Sequence, residues 1–182
     1  MATRVRLGTV GTGAALCLFI GGCGIGASGK VVTFPPSSVG PAATVSPAVA
    51  QTRAAIAAAL APSSLQLEDA ERPFRPPESA TLASAPRAVF QVLLPADPDG
   101  GNIVVYEFRD SAAAVDAGNE LAGYIGTGAG RIQFPPDAQH VIRELGTTLI
   151  VYSWSPSNSP DPGSKTIAEA LATIGIGFAP PR

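Results

Sequence analysis

The sequence predicts an α+β fold, a two-layer sandwich in which a mostly antiparallel sheet carries its helices on one face. Two pairs of runs rich in Val, Ile, Leu, Phe and Tyr, residues 88–94 with 102–108 and 139–145 with 148–154, are joined by turn-forming residues, which is the pattern of antiparallel hairpins. Around them lie segments whose apolar residues recur on one side of a helix, so each helix has a single stripe to bury. Proline and glycine, 18 and 20 of the 182 residues, cluster at the joints between these runs.

Ser46-Pro47 opens the first helix, with a capping serine, a proline at the first helical position and strong helix formers up to Pro62. Val49, Thr52, Ile56 and Leu60 fall on one side of it. Leu65 to Glu68 alternates like a short strand, and the prolines at 73, 76 and 77 then break regular structure. A second short helix is expected over residues 78–85. The first strand pair turns through residues 95–101, whose Asp97-Pro98-Asp99-Gly100 invites a calcium-loop reading. A twelve-residue loop beginning at Asp97 would need its bidentate glutamate where Phe108 stands, so a hairpin turn is the better account. Asp110 caps a helix over 111–125, with Ala114, Ala117 and Leu121 inward and Gly126 ending it. Residues 126–130 read as a flexible connector and residues 131–134 as a strand. The second hairpin turns at Gly146-Thr147, Asp161-Pro162 opens a last helix buried through Ile167, Leu171 and Ile174, and residues 178–182 form a tail.

The chain has room for one domain with a real core, not two large ones. Its net charge is −2, and without residues 1–22, which hold Arg4 and Arg6 and no acid, 10 basic and 14 acidic groups leave −4. That balance argues against nucleic acid as a partner, which would need a concentrated basic face. Both cysteines, Cys17 and Cys23, precede the folded region, so no disulfide framework spans it.

The two arginines in residues 1–6 and the uncharged run over 7–20 form the n-region and h-region of a secretory signal. The run is shorter than the roughly 20 residues a membrane-spanning helix needs. Small residues follow at Gly21 and Gly22, and then comes Cys23. Ile20-Gly21-Gly22-Cys23 resembles the lipobox of bacterial lipoproteins, with isoleucine in place of the more usual leucine and glycine where alanine or serine is commoner. The resemblance implies cleavage after Gly22, a diacylglyceryl group on the Cys23 thiol and an acylated amino terminus. A single acyl chain holds a protein only marginally, whereas two give a stable anchor. The expected organisation is a signal peptide over 1–22, an anchor and tether over 23–46, and one domain over 47–179. The protein is expected at the cell membrane on its extracytoplasmic side, held through lipidated Cys23. The tether, rich in Gly, Ser, Pro and Ala, would span roughly 25 to 30 Å as a coil.

Two glycine-rich stretches are set aside. Gly24 to Lys30 nearly matches a phosphate-binding loop, but Val31 replaces the required hydroxyl, and Gly11-Thr12-Gly13 lacks the third glycine of a dinucleotide fingerprint.

Within the domain, Val105-Tyr106-Glu107-Phe108-Arg109-Asp110 running into an alanine-rich helix, Pro135-Pro136, His140-Val141-Ile142-Arg143 and the strand after Gly146 resemble a group of small bacterial lipoprotein domains without an assigned activity. The resemblance covers residues 104–178 and implies no catalytic residue.

His140 is the only histidine, and a catalytic pair would need a nucleophile and an orienting acid that spacing alone does not supply. It reads as a strand-surface or partner-contact residue. Glu68, Asp69 and Glu71 read as a solvated turn rather than a glycosidase pair, and Tyr106, Tyr152 and Trp154 as core or rim. No metal or cofactor is expected, since the mature chain has one histidine and one lipidated cysteine. The expected function is therefore a membrane-anchored envelope lipoprotein whose non-catalytic domain binds an envelope protein or small ligand. The alternative is a small envelope hydrolase, which requires His140 within hydrogen-bond reach of a Ser, Thr or acid in a pocket.

Overall fold

The computed structural model describes residues 45–181. The signal segment, the lipobox with Cys23 and all but the end of the tether lie outside the described residues.

The elements in chain order are α1 (Pro47–Leu60), β1 (Leu67–Asp69), α2 (Ala80–Ser84), β2 (Arg87–Val92), β3 (Asn102–Glu107), α3 (Ser111–Gly126), α4 (Gly128–Arg131), β4 (Gln139–Leu145), β5 (Thr148–Trp154), α5 (Gly163–Leu171) and β6 (Ile176–Phe178). The strands form one sheet in the order β1-β2-β3-β5-β4-β6, and every neighbouring pair is antiparallel. The fold is α+β, as the hairpins predict.

The helix starts follow the sequence signals. Ser46 Oγ accepts from the Val49 amide at 3.2 Å with Pro47 next to it, and Asp110 Oδ1 accepts from the Ala113 amide at 2.8 Å. Gly146 at φ +64° makes the two-residue β4–β5 turn, a backbone state that glycine adopts without steric cost.

The layering differs from the expected two-layer sandwich, because helices cover both faces of the sheet. Ile103, Val105, Ile150 and Tyr152 pack against α1 and α5 in one core. Val104, Tyr106, Leu149 and Val151, which alternate with them, pack against α2 and α3 in a second. The cause lies in the central strands, where residues 103–106 and 149–152 are apolar at every position, so neither face can be left to water. A hydroxyl pair fastens α1, Thr52 Oγ1 meeting Thr148 Oγ1 at 2.7 Å in a buried contact.

Three local expectations also change. Residues 131–134 are not a strand: the Arg131 amide donates to the Thr127 carbonyl at 2.8 Å, continuing a short helix into turns. Gly130 permits this, because a Cβ there would sit 2.1 Å from the Tyr124 carbonyl oxygen. The expected tail begins inside β6, which pairs with β4 and is held there by Arg143, whose guanidinium donates to the Ile174 carbonyl at 2.5 Å and the Gly175 carbonyl at 2.7 Å. The second helix is shorter than expected, because Glu78 lies outside it as the acceptor of two arginines.

Candidate functional site

The β4–β5 register sets His140 opposite Ser153. Both side chains stand on the face that Ile142 and Val151 bury against α3, because side chains alternate along a strand. His140 Nδ1 and Ser153 Oγ are 2.8 Å apart. The ring meets Phe134 edge to face, with centroids 4.6 Å apart and planes at 81°. Burial pushes the imidazole pKa below its usual value, and no carboxylate opposes that shift.

The ring lines a groove of about 410 Å³ between the end of α3 and the C-terminal segment. Ile125, Phe134, Pro135 and Pro181 supply apolar wall, and Arg131 and His140 supply polar groups. Ile132, next in the chain to Arg131, is 83% exposed. With Nδ1 taken by Ser153, Nε2 is the ring nitrogen left for a ligand.

Asp137 is the nearest acid along the chain, but its carboxylate is turned to the loop after β5. Asp137 accepts from Ser155 Oγ at 2.6 Å, Ser157 Oγ at 2.6 Å and the Ser157 amide at 2.8 Å. Those three bonds hold its pKa down at about 2. It therefore does not orient His140.

Nucleophilic catalysis needs a base, an orienting group and donors for the developing oxyanion. Among the described residues the structure supplies the Ser–His hydrogen bond alone. Ser153 lies within β5, which pairs on both sides, and it is not part of the groove wall. The sequence reading missed Ser153 as a partner. Its signal was the hairpin itself, since pairing Leu145 with Thr148 across the turn makes His140 and Ser153 opposite by counting.

The other residues singled out by sequence take structural places. The Tyr106 hydroxyl donates to Glu78 Oε1 at 2.9 Å, and burial followed by that carboxylate pushes the phenol pKa up. The Tyr152 hydroxyl donates to the Ser164 carbonyl at 3.2 Å, and burial raises its pKa to about 12. Trp154 packs partly buried beside the α1–α5 core. Glu68, Asp69 and Glu71 border an exposed depression beside β1, in which Arg72 pairs with Asp99 at 2.5 Å. Among the described residues no three His, Cys, Asp or Glu side chains gather to hold a metal ion. No described helix is long and apolar enough to cross a membrane.

No family model, no curated protein and no solved structure matches this chain.

Proposed function

We propose that this protein is an envelope lipoprotein, held at the extracytoplasmic side of the membrane through lipidated Cys23, whose α+β domain is a non-catalytic binding module. The observation that carries the reading is Ile20-Gly21-Gly22-Cys23 placed directly after a charged n-region and a short uncharged run. The resemblance of residues 104–178 to small lipoprotein domains agrees with it. The groove at His140 supports the binding part, since it combines apolar wall with a few convergent polar groups.

Incorporation of radiolabelled fatty acid tests the anchor. Wild type takes up label and Cys23→Ala does not; equal labelling of the two, or a mature amino terminus elsewhere than Cys23, removes the lipoprotein reading.

The second reading, a small hydrolase, is favoured by the 2.8 Å His140–Ser153 contact. A serine-directed fluorophosphonate tests it, because covalent labelling of wild type but not of Ser153→Ala would establish an activated nucleophile. The binding reading expects no labelling of either.

A further inference from the structure

Arg131 differs from the other described cations. Arg53, Arg72, Arg75, Arg87, Arg109 and Lys165 each pair with a carboxylate, and Arg143 is occupied by two backbone carbonyls. Arg131 has neither an ion pair nor a side-chain hydrogen bond among the described residues, and it lines the same groove as the chain's only histidine. In a chain of net charge −2, a guanidinium in a concave site with no partner among the described residues is a local positive feature suited to an anion.

The rest of the wall narrows the class. Ile125, Phe134, Pro135 and Pro181 offer apolar and aromatic surface that an inorganic ion would leave unused. The C-terminal end of α3, at Ile125 and Gly126, also borders the groove and brings the negative end of the helix dipole. That end opposes any anion, so the attraction rests on Arg131, whose single guanidinium matches one planar carboxylate, while the apolar wall suits an organic body better than a bare phosphate.

Resting on the binding-module reading, we propose that the groove binds a monocarboxylate with an apolar or aromatic body, its carboxylate held by Arg131 and by His140 Nε2. In the tautomer where Ser153 donates to Nδ1, Nε2 carries the hydrogen and donates to the ligand. The body lies against Phe134 and the prolines.

The test uses the full-length chain in nanodiscs, with empty nanodiscs as the blank, and equilibrium dialysis of tritiated 4-phenylbutyrate. The amide of the same acid and acetate serve as competitors. Wild type is expected to bind the acid, with the amide at least tenfold weaker and acetate weaker still. Arg131→Ala, a change at an exposed side chain, is expected to lose at least tenfold in affinity, and Arg131→Lys less. Binding that is equal for acid and amide, equal for wild type and Arg131→Ala, or absent in wild type overturns the inference. Fatty-acid labelling at Cys23 is measured separately, so a failed groove leaves the anchor reading standing.

Discussion

Tyr106 and Glu78 meet in the core beneath α2, the phenolic hydroxyl donating to Oε1 at 2.9 Å. The same oxygen accepts from Arg87 at 2.6 Å and the other carboxylate oxygen from Arg75 at 3.0 Å, with the Glu78 side chain only 3% exposed. Strand β3 thus supplies a neutral donor and strand β2 a cation to a carboxylate that lies in a proline-broken segment. This is how a stretch without secondary structure is fastened over the sheet.

Glu78→Ala should therefore cost about 2–3 kcal/mol, less than the roughly 3–5 kcal/mol of a fully buried pair, because solvent reaches both arginines. Tyr106→Phe should cost about 1 kcal/mol, since Glu78 keeps its two cations. Urea denaturation of the two variants checks the order, and a Tyr106→Phe cost equal to that of Glu78→Ala would contradict it.

The pairing of Thr52 with Thr148 leads to an asymmetric prediction. Thr148 Oγ1 donates to the Leu145 carbonyl at 2.9 Å, so its single hydrogen is used and Thr52 must be the donor between the hydroxyls. Thr52→Val should cost about 1 kcal/mol, and Thr148→Val about 2 kcal/mol because it removes two hydrogen bonds, the one from Thr52 and the one to the Leu145 carbonyl. Chemical denaturation of the single and double variants should find the two changes non-additive.

Stability should fall with acid in two windows. His140 is depressed by burial, so the unfolded chain takes up a proton first, and stability declines as pH falls below about 6.5 until the folded imidazole also protonates. Asp137 is likewise depressed, to about 2, but in an acid this means stability present above the unfolded value of about 3.9 and lost as pH falls through the folded one. Melting temperature followed from pH 8 to pH 2 should lose its upper step in His140→Gln and show a smaller lower step in Asp137→Asn, since hydrogen bonds hold the Asp110 and Glu120 carboxyls down as well. Unchanged profiles would refute the assignments.

Much of the fold is legible in local chemistry. Ser46-Pro47 and Asp110 start helices, Gly146 turns a hairpin, and the β-branched runs are strands at nearly the expected residues. The candidate site is legible only in part. His140 is conspicuous as a single histidine, but Arg131 and Phe134 sit in a stretch whose strand-like composition hides a helical turn, made possible by Gly130 lying against the Tyr124 carbonyl. Short-range propensity cannot report that contact, because it depends on where α3 ends in space.

The sequence by itself determined the α+β class, the hairpins, the helix caps and the absence of a cysteine framework in the domain, since each depends on neighbouring residues or on composition. The unbroken apolar runs at 103–106 and 149–152 already call for cover on both faces, and tertiary structure decided which helices supply it, α1 and α5 on one side and α2 and α3 on the other. It also decided that β6 closes the sheet edge and that Arg131 and His140 share a groove. Those outcomes depend on long-range packing, in which a residue's role is set by what arrives from elsewhere in the chain.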